Sequence, residues 1–264
     1  MPDNRPIGVF DSGVGGLSVL KEVRKILPSE DIIYFADSAY CPYGLKPPEE
    51  IIARSFKICD FLLSEGSKML VVACNTASVA GLDQYRNRYD VPIVGMEPAV
   101  KPATAATRNG KVGVLATGVT LAGERFSSLL ERYQNGSEVF SQPCPGLVEL
   151  VESGMHESPE AAHMLKRFIS PLLDRGVDTI VLGCTHYPFL KEMVGSIAGP
   201  GITVIDTGEA VARQVNRVIR QHGIENTGDK AGAEVFHTSG SASEVKAVIK
   251  KLWGGNPKVI HTPL

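Results

Sequence analysis

The amino-acid sequence predicts an α/β fold of two similar domains. Each has a mainly parallel sheet flanked by helices, and the two are related by pseudo-twofold symmetry, with a ligand site expected in the cleft between them. Short apolar runs bounded by glycine and proline alternate with longer segments of helical periodicity, which is the pattern of βαβ units. A series of four strand-like runs also occurs twice, at offsets of roughly 103 to 111 residues.

The first copy of the series begins the chain. Its predicted strands are 7–10, 32–35, 69–73 and 91–94, and its predicted helices are 17–27, 48–66 and a segment that ends near residue 88. Pro48 and the two glutamates after it suit the first turn of a helix. Gly66 is a suitable residue for the end of that helix.

The second copy repeats these features. Its predicted strands are 111–116, 138–140, 179–183 and 202–206, and a helix begins at Pro159 and ends at Gly176. Residues 111–118 match residues 6–13 position for position, so Thr117 takes the place of Ser12. An insertion-free match at a strand and its following loop indicates a duplicated domain.

The duplication gives the predicted domain boundaries. One domain comprises residues 1–97 together with 208–264 and carries Asp11 and Cys74, and the other comprises residues 98–207 and carries Cys184 and His186. The final segment contains a predicted helix at 209–222, a strand at 234–238 and a helix at 242–253. We expect it to pack against the first half, with Trp253 in a packing role.

Composition excludes several classes of function. The chain has 264 residues and a net charge of −2, so no basic surface indicates nucleic acid as a partner. No signal peptide is evident, and no apolar run approaches the roughly 18 residues of a membrane span. We therefore expect a cytoplasmic protein. Five cysteines, an odd number without a Cys-x-x-Cys pair, argue against a disulfide framework.

Two cysteines occupy positions where ligands bind in α/β proteins. Cys74 and Cys184 each follow a short apolar run, and ligands bind beyond the carboxyl ends of parallel strands. A helix N-terminus after the strand would stabilise a thiolate. His186, two residues after Cys184, is a candidate partner for it. Because the domains are duplicated, we expect the two thiols to approach one ligand from opposite sides.

A glycine-rich turn follows the first strand. The run from Asp11 to Gly16 resembles a dinucleotide fingerprint, but Ser18 stands where the third glycine is required. The turn is better suited to holding an anion on backbone N–H groups. Asp11 would then bind an ammonium group or tune a neighbour, and helix capping by Asp11 and Ser12 is the simpler alternative.

The cysteines also allow other chemistry. Cys74, Cys184 and His186 are acceptable zinc ligands, although they lack the close spacing that is usual in structural zinc sites. Two distant cysteines could also form an interdomain disulfide, but no resolving motif accompanies them.

The motifs together resemble a known family. Cys74-Asn-Thr and Gly183-Cys-Thr-His are similar to the cofactor-independent amino-acid racemases of the aspartate/glutamate racemase superfamily. The stretches 7–17, 34–37 and 42–44 resemble its glutamate racemases, and the resemblance extends from residue 7 to about residue 215. It implies two pseudosymmetric α/β domains that interconvert L- and D-glutamate by two bases, with no cofactor and no metal.

The resemblance also implies roles for individual residues. Cys74 would take the α-proton from D-glutamate and Cys184 from L-glutamate, with Asp11 near Cys74, and with His186 and Glu152 near Cys184. Without the resemblance, Glu152 would be interpreted as a surface helix residue. The implied substrate contacts are Asp11, Ser12, Pro42, Tyr43, Gly44, Asn75, Thr76, Thr117, Thr120, Thr185 and His186.

Partners and alternatives follow from the same comparison. The expected partner is the small-molecule substrate glutamate, used in peptidoglycan synthesis, and the family habit implies a homodimer. An aspartate or other acidic amino-acid racemase is the nearest alternative. A non-catalytic amino-acid-binding protein is an alternative of another class, which the presence of two thiols disfavours.

Overall fold

A computed structural model describes residues 3–134 and 136–264. In chain order, its strands are β1 (Ile7–Asp11), β2 (Ile32–Ala36), β3 (Met69–Val72), β4 (Ile93–Val94), β5 (Lys111–Ala116), β6 (Glu138–Pro143), β7 (Thr179–Leu182), β8 (Thr203–Ile205), β9 (Glu234–Thr238) and β10 (Val259–His261).

Helices connect these strands. They are α1 (Leu17–Ile26), α2 (Pro48–Ser64), α3 (Asn75–Arg88), α4 (Val100–Ala106), α5 (Gly118–Ala122), α6 (Glu124–Tyr133), α7 (Leu147–Glu152), α8 (Pro159–Asp174), α9 (Lys191–Ala198), α10 (Gly208–Gln221) and α11 (Ala242–Leu252). Short 3₁₀ helices cover Ser38–Tyr40, Tyr43–Leu45 and Tyr187–Leu190. The sequence analysis assigned no helix to the ranges of α4, α5, α6 and α9.

Within the described residues the strands form two parallel sheets. The order in the larger sheet is β10-β9-β2-β1-β3-β4, and the order in the smaller sheet is β6-β5-β7-β8. The order β2-β1-β3-β4 is therefore repeated as β6-β5-β7-β8. Registers repeat as well, since Ile7 pairs with Met69 and Val112 pairs with Thr179. The predicted α/β fold with a repeated parallel sheet is confirmed.

The C-terminal segment extends the first sheet. Strand β9 pairs with β2, and β10, which was not predicted, pairs with β9. Trp253 packs against Phe236, with ring centroids 6.0 Å apart. The segment lies with the first half, and the boundaries at 97/98 and 207/208 stay a prediction.

The apolar core joins the two domains. Both sheets contain strands that are almost wholly buried, as expected of parallel strands covered on both faces. One face of each sheet contributes to a continuous cluster that includes Val9, Val71 and Leu182. The opposite faces form separate clusters around Phe10 and Val114. No helix in the described residues is long and apolar enough to cross a membrane.

Candidate active site

The loops after the central strands of both sheets meet at one small cavity. Its lining residues are Ser12, Pro42, Tyr43, Gly44, Cys74, Asn75, Thr76, Thr117, Val148, Cys184, Thr185 and His186. All except Val148 were predicted from the sequence. The other predicted residues each contact the lining, Asp11 through Thr185, Thr120 through Thr76 and Glu152 through His186. The structure therefore brings the whole predicted set together.

The cavity is closed by direct packing between the domains. Its volume is about 10 Å³, which is room for about one water molecule. Gly44 in the first domain lies so close to Thr117 in the second that a Cβ atom at Gly44 would be 2.7 Å from the Thr117 Cβ. A cavity of this size is too small to hold an amino acid.

Cys74 lies at the N-terminus of α3. Its Sγ accepts a hydrogen bond from the Ala77 backbone N–H at 3.4 Å and lies 3.9 Å from the Ser12 hydroxyl. Burial and the negative charge of Asp11 raise the pKa of the Cys74 thiol well above its ordinary value, although the backbone N–H groups oppose this shift. The expected helix N-terminus is present, but burial outweighs it.

Cys184 has a histidine as its neighbour. The Cys184 Sγ lies 3.7 Å from His186 Nδ1, and His186 Nε2 is 2.6 Å from Glu152 Oε1. Burial disfavours the imidazolium, but hydrogen bonds with Cys184, Cys41 and Glu152 outweigh it and raise the pKa of His186 well above its ordinary value. An imidazolium beside a sulfur favours the thiolate.

Glu152 bridges the two domains. It ends α7 in the second domain, and its Oε1 accepts a hydrogen bond of 2.6 Å from the Val14 backbone N–H in the first domain. Its side chain is 17% exposed, so its interpretation as a surface residue would be wrong. The glycine-rich turn thus donates one backbone N–H, that of Val14, to the side chain of Glu152. The predicted binding of an anion by the turn stays a prediction.

Asp11 is fully buried between Cys74 and the second domain. Its carboxylate accepts a hydrogen bond from the Gly16 N–H at 2.9 Å and lies 3.4 Å from the Thr185 hydroxyl. Burial raises the pKa of Asp11, while the nearby His186 opposes this shift. Asp11 therefore holds the backbone N–H of Gly16, the residue before α1, and also contacts the lining of the cavity. Its predicted binding of an ammonium group stays a prediction.

Hydroxyl and amide groups fill the opposite end of the cavity. The hydroxyl of Thr76 lies 3.1 Å from that of Thr117 and 3.3 Å from that of Thr120, across the domain interface. Asn75 is 2% exposed. In the described part of the chain, neither its side-chain nitrogen nor its oxygen has a hydrogen-bond partner. A buried amide without partners is suited to binding a polar ligand group.

A buried ion pair supports Tyr43 from behind. The Tyr43 hydroxyl donates a hydrogen bond to the carboxylate of Asp37, which also accepts two hydrogen bonds from the Arg54 guanidinium, the shorter at 2.6 Å. Asp37 and Arg54 are 0% and 4% exposed. Sequence reasoning did not identify this pair, because no motif or spacing in the sequence indicates that the two side chains meet.

The side chains that lie close enough to share a metal ion differ from Cys74, Cys184 and His186, which the sequence analysis considered as zinc ligands. Among the described residues, Cys41, Glu152 and His186 are the group whose ligand atoms all lie within 4.8 Å of one another. All five cysteines are free thiols, so Cys74 and Cys184 are not joined by the interdomain disulfide considered above. Cys41 was not a predicted site residue, although its position one residue before Pro42 was a signal.

Comparison with known proteins places this geometry in context. The family model for Asp/Glu/Hydantoin racemase matches residues 7–215. The glutamate racemase of Pseudomonas paraeruginosa is 50% identical over 258 residues, which cover 97% of each protein. That of Herpetosiphon aurantiacus is 50% identical over 237 residues, covering 90% of this chain and 93% of the relative.

Solved structures show the same similarity. A glutamate racemase isoform from Bacillus anthracis superposes with a TM-score of 0.91 at 32% identity, covering 99% of this chain and 98% of the other. Escherichia coli glutamate racemase, solved with L-glutamate and an activator, gives a TM-score of 0.86 at 34% identity, covering 98% of each chain.

Proposed function

The chain belongs to the Asp/Glu/Hydantoin racemase family and is an isomerase, and on that basis we propose that it interconverts L- and D-glutamate without a cofactor. The proposed bases are Cys74 and Cys184. The observation that carries the proposal is that these two thiols line one cavity from different domains. Aspartate is the alternative substrate, and no observation favours it.

The reaction requires two bases because the α-proton leaves one face of the carbon and returns on the other. Starting from L-glutamate, the Cys184 thiolate takes the α-proton. The electron pair of the broken C–H bond remains on the α-carbon. The Cys74 thiol then donates its proton to the opposite face. Cys184 ends as the thiol and Cys74 as the thiolate, and the reverse sequence converts D-glutamate.

Neighbouring groups support each thiol. The imidazolium of His186, held by Glu152, stabilises the Cys184 thiolate, and Asp11 lies on the Cys74 side. Asp11 is also the proposed partner of the substrate ammonium group. Asn75 and Thr76 at one end of the cavity, and Thr185 at the other, supply donors for the substrate carboxylates.

The carbanion needs stabilisation that bulk water would not provide. Preorganised hydrogen bonds in a site without water stabilise developing charge strongly. The contact of Gly44 with Thr117 closes the site, and substrate entry requires the domains to separate. We propose that each catalytic cycle includes this opening and closing.

The proposed biological setting follows the family resemblance. The enzyme works in the cytoplasm as a homodimer and supplies D-glutamate for peptidoglycan synthesis. Sedimentation of the purified protein tests the dimer, and rescue of a strain that requires D-glutamate for growth tests the role.

Deuterium exchange tests the mechanism. In deuterium oxide the protein should racemise either enantiomer of glutamate, with solvent deuterium replacing the α-proton. Cys74→Ser and Cys184→Ser should each reduce racemisation by at least about 10²–10⁴-fold, because a positioned base contributes a factor of that size. The NMR signal of the α-proton and the optical rotation are measured together.

The single variants separate two bases from one. Cys184→Ser keeps the base that faces D-glutamate, so that enantiomer should exchange its α-proton without inverting, and Cys74→Ser should do the same with L-glutamate. Cys59→Ser, which is buried in α2 away from the cavity, is the matched control and should retain activity. Full racemisation in either active-site variant would contradict the assignment, and aspartate run in parallel tests the substrate.

A further inference from the structure

The cluster of Cys41, Glu152 and His186 contains a thiol for which the proposed reaction has no use. Cys41 lies in the first domain, in the loop between β2 and α2, whereas Glu152 and His186 belong to the second domain. Their ligand atoms lie within 4.8 Å of one another. Cys41 and Glu152 are partly exposed and His186 is buried, so the cluster is reachable from one side.

These side chains match the preferences of zinc. A thiolate, an imidazole and a carboxylate bind Zn²⁺ at about 2.0–2.3 Å. Tetrahedral coordination with those bond lengths separates the ligand atoms by about 3.3–3.7 Å. The Nε2 of His186 and the Oε1 of Glu152 are 2.6 Å apart and would separate by roughly 1 Å to reach this geometry. Because all the ligand atoms of the cluster already lie within 4.8 Å of one another, side-chain movements suffice. A thiolate and a carboxylate also compensate the two positive charges of the ion.

We propose that Cys41, Glu152 and His186 form an inhibitory binding site for Zn²⁺ that spans the two domains. On binding, the Cys41 thiol and the protonated His186 ring each release one proton to solvent, and His186 coordinates as neutral imidazole. The ion thereby replaces the contact between Glu152 and His186. Three protein ligands leave the fourth position for water.

Inhibition follows from two consequences of this coordination, and this part of the inference rests on the proposed function. Coordination breaks the contact through which Glu152 holds His186 beside Cys184, so the sulfur that acts on L-glutamate loses a positioned partner. The ion also ties Cys41 of one domain to Glu152 of the other. That bond opposes the opening through which the substrate enters the cavity.

The alternative location for zinc is the pair of proposed catalytic thiols. Cys74 and Cys184 line the same cavity, and either sulfur is an acceptable ligand. The two locations differ in their dependence on Cys41, which neither the sequence nor the reaction places in the catalytic machinery. Removal of Cys41 therefore distinguishes them.

Metal binding is measured first, without any activity assay. Zinc affinity of the full chain is determined by competition with a chromophoric chelator, and Co²⁺ is added separately to record the thiolate-to-cobalt charge-transfer absorption. We expect one equivalent of zinc in the wild type. Cys41→Ala should weaken zinc binding by at least about 100-fold, since losing a direct ligand costs at least as much as losing a residue that orients one. The cobalt band should disappear.

Controls and activity complete the test. Cys59→Ala, a buried cysteine outside the site, should bind zinc like the wild type, and Cys41→Ser should lack the charge-transfer band while preserving the size of the side chain. Each protein is compared with its own rate in the absence of zinc: added zinc should inhibit the wild type and should leave the rate of Cys41→Ala unchanged. Wild-type zinc affinity and an intact cobalt band in Cys41→Ala would overturn the proposal, as would the absence of zinc binding to the wild type. A protein that binds zinc through Cys41 but shows no racemisation would contradict only the proposed function.

Discussion

The two domains share a strand order but surround their cysteines with different groups. Cys74 follows β3, which pairs with β1, and Cys184 follows β7, which pairs with β5 in the same way. Cys74 directly precedes the long helix α3, whereas the residues after Cys184 lead into a short 3₁₀ helix. Backbone N–H groups therefore contact the first sulfur and an imidazole contacts the second. The common scaffold explains why two thiols meet, and the local differences explain why they are chemically distinct.

The difference determines where charge resides in the site. An imidazolium favours a neighbouring thiolate, and a carboxylate disfavours one. His186 lies beside Cys184 and Asp11 lies near Cys74. We infer that Cys74 keeps its proton in the free site, as the proposed reaction from L-glutamate requires.

Replacing the imidazole of His186 should produce the largest change in the catalytic difference between the two cysteines. In His186→Asn the Cys184 thiolate loses its partner, and L-glutamate then binds mostly to a site that holds the unreactive thiol. We expect kcat from L-glutamate to fall about 10²–10⁴-fold, the usual contribution of a group that acts in proton transfer. The value of kcat from D-glutamate should fall less. Progress curves from each pure enantiomer measure both constants.

Thermodynamics provides an internal check on that result. The two enantiomers have equal free energy in water, so kcat/KM must fall by the same factor in both directions. A larger fall of kcat from L-glutamate therefore requires the KM for L-glutamate to fall relative to the KM for D-glutamate, by the ratio of the two losses in kcat. His237→Asn changes a buried histidine that pairs with Thr262 outside the site, and it should leave both constants unchanged. Equal loss of kcat in both directions would refute the asymmetry.

The duplicated glycines offer a second comparison. Gly13 and Gly118 occupy equivalent positions after the first strand of each repeat. A Cβ atom at Gly13 would lie 2.0 Å from the Glu152 Oε1, whereas one at Gly118 would meet nothing within 4 Å. Gly13→Ala should displace Glu152 from His186 and reduce kcat by about 100-fold, the cost of a misplacement of about 1 Å. Gly118→Ala should retain wild-type kinetics, and equal losses in both would contradict the asymmetric packing.

Sequence patterns predicted most of the fold because the decisive information was local. Buried parallel strands appear as apolar runs, and the duplication made each run support its counterpart. The late strand β10 escaped detection, because its three residues are partly or fully exposed at the sheet edge. A short strand at an edge has too little apolar content to be distinguished from a loop.

The site was only partly predictable, because several contacts exist only after the domains meet. Cys74 and Cys184 could be found from their strand ends. Glu152 follows a helical pattern and becomes part of the site through the Val14 N–H and His186 of distant segments. The raised pKa of Cys74 depends on burial, which a motif does not show. Local sequence identifies reactive groups, whereas their electrostatics depend on tertiary packing.

The residues that precede the two cysteine strands differ as strongly as those that follow. Lys68 is buried before β3 and pairs with Glu30 at 2.6 Å. The equivalent position before β7 is Asp178, which accepts hydrogen bonds from the backbone N–H groups of Arg108 and Asn109 at 2.8 and 3.0 Å. One domain therefore holds a cation where the other holds an anion, although the strands that follow are alike.

Removing the charge of Asp178 should have the smallest of the predicted effects. It concerns the free energy of unfolding and depends on pH. Burial opposes ionisation, but hydrogen bonds from Thr107, Arg108 and Asn109 outweigh it and lower the pKa of Asp178 below its ordinary value. Asp178→Asn should reduce the free energy of unfolding by about 1–3 kcal/mol at neutral pH. Because the pKa is lower in the folded state, this stabilisation is present above the unfolded pKa near 3.8 and is lost as the pH falls through the folded value.

Urea unfolding at several pH values should therefore show the difference between wild type and variant shrinking in acid. Asp174→Asn, an exposed position on α8, should change little throughout, and a difference for Asp178→Asn that stays constant from neutral to acid pH would show that the charge of Asp178 does not stabilise the second domain.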